Sequence, residues 1–175
     1  MVIQEMTPEE CRKALAETGV ARLACESAGQ PYVVPVCLAY DGKCLYGFST
    51  LGQKIEHMRA NPLVCLEIDD VKDQHHWMSV VAFGRFEELP DKPEFKAVRL
   101  HALELLQKRA TWWEAACVAW AHGDRANPLT PVFYRIHLDR MTGRRVSPDS
   151  VEIQPAPTTR GHSRLNRLLD RVLGK

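Results

Sequence analysis

The chain has 175 residues, a net charge of +1, 45% hydrophobic and 26% charged residues. That length suits one domain with a real core, and the charge balance excludes a global field that would draw in nucleic acid or a membrane surface. No apolar run is long enough to cross a bilayer, and MVIQEMTPEE lacks the basic-then-apolar order of a signal peptide, so a cytoplasmic protein is the expectation.

The first element is a helix. Thr7 can cap it, Pro8 suits its first position, and Glu10 completes a capping box, with Gly19 as the stop. Val20 to Glu26 reads as a strand, and Pro31 to Tyr40 as a second. Within the second, Val34-Pro35-Val36 is unusual, because a proline cannot donate to a ladder and is confined to edges, strand starts and bulges. A bulge would expose backbone groups able to bond the polar edge of a planar heterocycle; a plain edge strand is the other reading.

Asp41-Gly42 is the clearest hairpin signal. A two-residue loop there pairs Tyr40 with Lys43 and leads into a third strand, Lys43 to Ser49. Ser49-Thr50-Leu51-Gly52 and a short helix, Gln53 to Asn61, follow. Hydroxyls on Ser49 and Thr50, a permissive Gly52, a helix N-terminus and the Lys54 cation are equipment for holding a phosphate. The same residues also suit an ordinary strand–loop–helix connection with a solvated lysine.

Leu63 to Asp69 alternates as a fourth strand, and Trp77 to Leu89 reads as a long fifth, bent near Gly84. Asp91 to Arg109 is a helix with Phe95, Val98, Ala102 and Leu105 on its buried stripe; Trp112 to His122 is a further helix. Val132 to Asp139 is the last strand, running into Met141-Thr142-Gly143. Residues 146–161 are linker in composition, and 162–175 place Leu165, Leu168, Leu169, Val172 and Leu173 at helical spacing with basic residues outside. Six short strands in hairpin-like order predict a mainly β fold, an antiparallel barrel with peripheral helices.

The six cysteines form no C-x-x-C pair and read as reduced and mostly buried. His75 and His76 are adjacent on a strand and point to opposite faces, so they cannot share one metal, and no zinc spacing is present. A single histidine could still serve as an axial haem ligand. No G-x-S-x-G elbow, P-loop, G-x-G-x-x-G or carboxylate pair points to hydrolysis or acid–base work, and no catalytic residue is assigned.

The ordered set Gly19-Val20-Ala21-Arg22-Leu23-Ala24, Pro31 to Val36, Tyr40-Asp41-Gly42, Leu45 to Ser49, Gly52-Gln53-Lys54, Met58 to Cys65, Trp77 to Val81, Gly84 to Glu87, Phe133 to Ile136 and Met141 to Arg144 is recognisable. It resembles the FMN-binding split-barrel superfamily related to pyridoxamine 5′-phosphate oxidase, nearest to its nitroimidazole-resistance (Nim-type) branch. The resemblance implies a six-stranded antiparallel split barrel over residues 1–145. It implies a homodimer with FMN at the subunit interface and reduction of a small organic or nitro compound. Ser49, Thr50 and Lys54 would hold the phosphate, and Val34, Pro35 and Val36 would line the flavin ring. Trp77 and Ser79 lie on a strand that approaches the site in such proteins, and the Trp112-Trp113 region would cover it from the other subunit. The oxidase itself ends in a tryptophan-and-arginine signature that grips its substrate's phosphate. HSRLNRLLDRVLGK has no tryptophan, which argues against pyridoxamine phosphate as substrate. Related split barrels bind haem, another tetrapyrrole or a deazaflavin without turnover, the alternative reading.

Overall fold

A computed structural model describes residues 2–109 and 131–146. In chain order the elements are β1 (Gln4–Met6), α1 (Pro8–Glu17), β2 (Val20–Ser27), β3 (Gln30–Tyr40), β4 (Cys44–Thr50), α2 (Gln53–Ala60), β5 (Leu63–Asp73), β6 (His76–Leu89), a 3₁₀ turn (Pro93–Phe95), α3 (Lys96–Gln107) and β7 (Pro131–Val146). Strands β7, β4, β3, β2, β5 and β6 pair in that order, and β6 pairs back to β7. Every pairing is antiparallel, so six strands close the expected ring.

The seventh strand, β1, is too short for a period to show. It pairs with Gly143–Arg145 of β7, beyond the stretch of β7 that pairs with β4. The last strand is therefore longer than its Val132 to Asp139 expectation: its first half serves β4, and its second half serves β1 and the far arm of β6.

α1 begins as its sequence dictates. Thr7 caps Glu10 N–H while the Glu10 carboxylate accepts from Thr7 N–H at 2.8 Å, and Cys11, Ala14 and Leu15 are its buried residues. The helix expected from Asp91 opens instead as the 3₁₀ turn and becomes α-helical at Lys96. The bend near Gly84 is present as a register shift between Phe83 and Gly84, where the β7 backbone at His137 lies too close for a Cβ. The helix expected over Trp112 to His122, the linker and the 162–175 helix fall outside the described residues.

The hairpin closes differently from its expectation. Asp41 N–H bonds Cys44 C=O, and Tyr40 faces Leu45 rather than Lys43. The cause is the Asp41 carboxylate, which accepts the N–H groups of Lys43 (2.8 Å) and Cys44 (2.7 Å) and so moves the turn one residue along, with Gly42 at φ +96°. Cys37 and Cys44 are still not cross-strand partners, since Cys37 faces Val20 on β2 and Cys44 faces His137 on β7.

Strand alternation divides the interior in two. Leu23, Leu45, Leu66, Val80, Tyr134 and Ile136 fill the barrel, with Ile55 and Met58 of α2 packed into the same cluster. On the outer surface Ala39, Tyr46 and Phe133 form a second cluster with Ala102 and Leu106 of α3.

Candidate functional site

β3 and β4 pair only at Leu38–Gly47, Ala39–Tyr46 and Tyr40–Leu45. Had the ladder continued, Val36 would face Ser49 and Pro35 would face Thr50. Instead β3 stays with β2, through Val36–Ala21 and Pro35–Arg22, and β4 stays with β7, through Ser49–Val132 and Thr50–Pro131. The barrel is split at this point, and five of the residues singled out from sequence line the two sides of the split.

The backbone explains the proline. Leu38 N–H bonds Gly19 C=O, on the β2 side of the strand. Alternation then turns residues 33, 35 and 37 toward β4. Pro35 sits where its missing donor costs no bond to β2, and the β2–β3 register runs through it without a shift, so it marks an opened edge and not a bulge. Val33 N–H, Val33 C=O and Pro35 C=O face the split. The Val36 side chain is buried in the barrel, Val34 packs partly against it, and Pro35 faces out.

The other side of the split holds the hydroxyls, but not both together. Ser49 (8% exposed) follows Leu45 and Gly47 onto the inner face and donates to Thr50 C=O at 2.9 Å. Thr50 follows Tyr46 and Phe48 onto the outer face.

Beyond Thr50, α2 starts at Gly52 without a side-chain cap. Its Ile55 and Glu56 N–H groups both turn back to Gly52 C=O. The N–H groups of Gln53 and Lys54 have no partner among the described residues, and no described atom lies within 4 Å of where a Gly52 Cβ would stand. Lys54 makes no ion pair among the described residues. Burial lowers its pKa from the ordinary 10.5, opposed by the neighbouring Cys25 thiol. A cation partly stripped of water, beside free N–H donors and an open glycine, suits an anion.

Trp77 and Ser79 are elsewhere. They lie on the far arm of the β5–β6 hairpin, where Trp77 pairs with Val146 and Ser79 donates to Glu67 at 3.0 Å. Ser49 pairs with Val132, at the opposite end of β7. One chain therefore does not bring Trp77 and Ser79 to Ser49, Thr50 and Lys54. Trp112 and Trp113 lie outside the described residues. The histidine pair is accounted for locally: His76 Nδ1 is 2.9 Å from Asp73, and His75 N–H donates to the same carboxylate.

A cleft of about 600 Å³ lies between α1 and the β5–β6 arm. Glu10, Glu17, Asp69 and Asp70 line it against the two cations Lys13 and Arg145, and that net negative lining does not favour a phosphate. Among the described residues no cluster of three or more His, Cys, Asp or Glu side chains could hold a metal ion, and no helix is long and apolar enough to cross a membrane.

The six-strand ring with one opened seam is a split barrel, and comparison with known proteins agrees. Residues 7–145 match the family described as pyridoxamine 5′-phosphate oxidase, and the chain belongs to that family. It is similar to an uncharacterized protein of Rhizobium meliloti (strain 1021), 40% identical over 144 residues, which is 82% of this chain and 95% of that one. A crystal structure of a FAD-binding protein from Mesorhizobium loti superposes with a TM-score of 0.65 at 40% identity, over 84% of this chain and all of that one. A Bacteroides thetaiotaomicron structure named for 5-nitroimidazole antibiotic resistance shares the fold, with a TM-score of 0.59 at 18% identity, over 82% of this chain and 89% of that one.

Proposed function

We propose that this protein binds a flavin nucleotide, FMN or the FMN half of FAD, and acts as an oxidoreductase on a small organic or nitro compound. The observation that carries the reading is the coincidence of the split with the start of α2. Among the described residues, N–H donors without a partner, an open glycine and a lysine without an ion pair stand at one end of a seam whose β3 edge offers unpaired backbone groups. The FAD-binding relative from Mesorhizobium loti supports a flavin and leaves FMN and FAD both in play.

The roles follow from the chemistry of each group. Lys54 and the N–H groups of Gln53 and Lys54 would hold the phosphate by charge and by donated hydrogen bonds. Thr50 offers a hydroxyl on the outer face. Ser49, whose hydroxyl is spent on Thr50 C=O, shapes the inner wall. Val33 and Pro35 would present backbone groups to the polar edge of the ring, and Val34 and Val36 keep that edge rigid by packing into the barrel. The bound flavin would supply reversible electron and hydride transfer, which no side chain provides.

A homodimer belongs to the same proposal. Trp77 and Ser79 stand too far along β7 to serve the split of their own chain, so a role for them requires a second copy.

The test is titration of purified protein with FMN, FAD and riboflavin, read by quenching of flavin fluorescence. FMN binding should be lost about tenfold to a hundredfold in Lys54→Ala, the range for a hydrogen bond to a charged group. Riboflavin, which has no phosphate, should be indifferent to that change. Equal affinity of wild type and variant for FMN would remove Lys54 from the site, and absence of quenching by all three would end the flavin reading.

A further inference from the structure

A second constellation lies on the outer face of the barrel, at the other end of β4. Cys44 is five residues from Ser49, about 17 Å along an extended strand. Cys44 and His137 are direct cross-strand partners on β4 and β7, and Glu87 on β6 lies diagonal to His137. Cys44 Sγ is 3.5 Å from His137 Nδ1, and His137 Nε2 is 2.6 Å from Glu87 Oε2. The protons can be placed by elimination. Glu87 also accepts from Arg135 Nε at 2.7 Å, and that bond, with His137, keeps its carboxyl ionised against the cost of burial. An ionised carboxylate only accepts, so His137 Nε2 carries the hydrogen. In the neutral ring Nδ1 is then a bare lone pair, and the Cys44 S–H donates to it. The arrangement is a thiol, a base and an orienting carboxylate, in hydrogen-bonded sequence.

We propose that Cys44 is a peroxide-reactive thiol, with His137 as its general base and Glu87 as the residue that positions that base. The substrate class is a small hydroperoxide, hydrogen peroxide included. The Cys44 proton passes to His137 Nδ1 as sulfur attacks the terminal oxygen of the hydroperoxide. An S–O bond forms and the O–O bond breaks. The departing alkoxide, or hydroxide, takes the proton back from His137. Sulfur is oxidised by two electrons to a sulfenic acid, and the peroxide is reduced to an alcohol or water.

The surroundings make the base necessary. Cys44 is 8% exposed, and burial raises its pKa, with Asp41 and Glu87 adding to the rise while Arg135 and Lys43 oppose it. From α3, His101 reaches Asp41 at 3.4 Å and does not touch the thiol. Cys44 therefore rests as a neutral thiol and reacts only through proton transfer to His137, which opens the site to solvent through its own half-exposed ring. Three of the other described thiols supply controls. Cys11 and Cys25 are buried, and Cys65 is more exposed than Cys44, yet none of the three has a hydrogen-bonded base among the described residues.

The experiment is exposure of the full-length protein to hydrogen peroxide at a few equivalents, with dimedone trapping of sulfenic acid and peptide mass mapping. Cys44 should be trapped at least tenfold faster than Cys65 in the same sample. His137→Gln should slow Cys44 about a hundredfold, the usual contribution of a positioned base, and leave Cys65 unchanged. Glu87→Gln should give an intermediate loss. Cys44 trapping no faster than Cys65 overturns the proposal without any variant, so misfolding of His137→Gln cannot shelter it. A folded His137→Gln protein that keeps the wild-type Cys44 rate overturns it as well.

Discussion

Tyr134→Phe should make this protein more stable. Tyr134 is 0% exposed, stands directly opposite Gly47 in the β4–β7 ladder, and lays its ring over that glycine. Its hydroxyl has no hydrogen-bond partner among the described residues, and burial pushes its pKa far above the ordinary 10. A buried polar group without a partner costs about 1–3 kcal/mol. Deleting the oxygen gives that cost back and forfeits a few dispersion contacts, about 0.5 kcal/mol in all. The void is small, and at about 24 cal/mol per Å³ it adds a few tenths of a kcal/mol. The balance is a gain of about 1 kcal/mol, or about 2–4 °C in Tm for a chain of this size. Urea denaturation with coincident fluorescence and circular dichroism transitions measures it. The companion change is Gly47→Ala, whose Cβ would stand 2.7 Å from Tyr134 Cε2 and 2.5 Å from its hydroxyl. It should cost about 1–3 kcal/mol alone and less in the Tyr134→Phe background, because one of the clashing atoms is gone. A loss of 1 kcal/mol or more in Tyr134→Phe would refute the reasoning and show that the hydroxyl holds a net favourable bond, as to a buried water.

Asp41→Ala should destabilise by about 1–2 kcal/mol at neutral pH, since it strips the acceptor from Lys43 and Cys44 N–H. Burial works against the ionised Asp41, but the bonds from Cys44, Lys43, Tyr46 and His101 outweigh it and hold its pKa below the ordinary 3.8. Its contribution is thus present above pH 3.8 and fades as pH falls through the lower folded value, so wild-type and variant stabilities should converge in acid; a constant gap down that range would show that the carboxylate's charge plays no part. Gly84→Ala should cost about 1–3 kcal/mol, because a Cβ there meets Ile136 Cγ2 at 2.8 Å and the fixed backbone of His137; a melt within 1 °C of wild type would show that β7 can shift to admit it.

What could be read from sequence and what could not divides along the range of the interactions. Thr7 and Glu10 declare a capping box within one helical turn, and the helix begins there. Six alternating segments declare six strands, and ring closure follows from the need to hide edges. The strand–loop–helix order that carries Ser49, Thr50 and Lys54 was legible because it is local. The opposite faces taken by the two hydroxyls were legible too, from alternation alone, had it been applied at the strand's last two residues. The Asp41 hairpin was placed correctly and closed one step wrongly, because a side-chain acceptor chose among turn geometries that the dipeptide leaves open.

The rest depends on register between strands far apart in the chain. Nothing near Cys44 in sequence announces His137, ninety-three positions away, or Glu87 on a third strand. Nothing near Trp77 says that its partner Val146 lies at the opposite end of β7 from the partner of Ser49. The split itself stands between these cases. Pro31 and Pro35 share the parity of β3 that alternation turns away from β2, so a β4 ladder extended past Leu38 and Gly47 would meet two positions with no donor. β4 loses little by parting there, because its other edge remains bonded to β7 as far as Thr50. The prolines thus make the seam inexpensive to open, and the seam is what leaves backbone groups of β3 available to a ligand beside the start of α2.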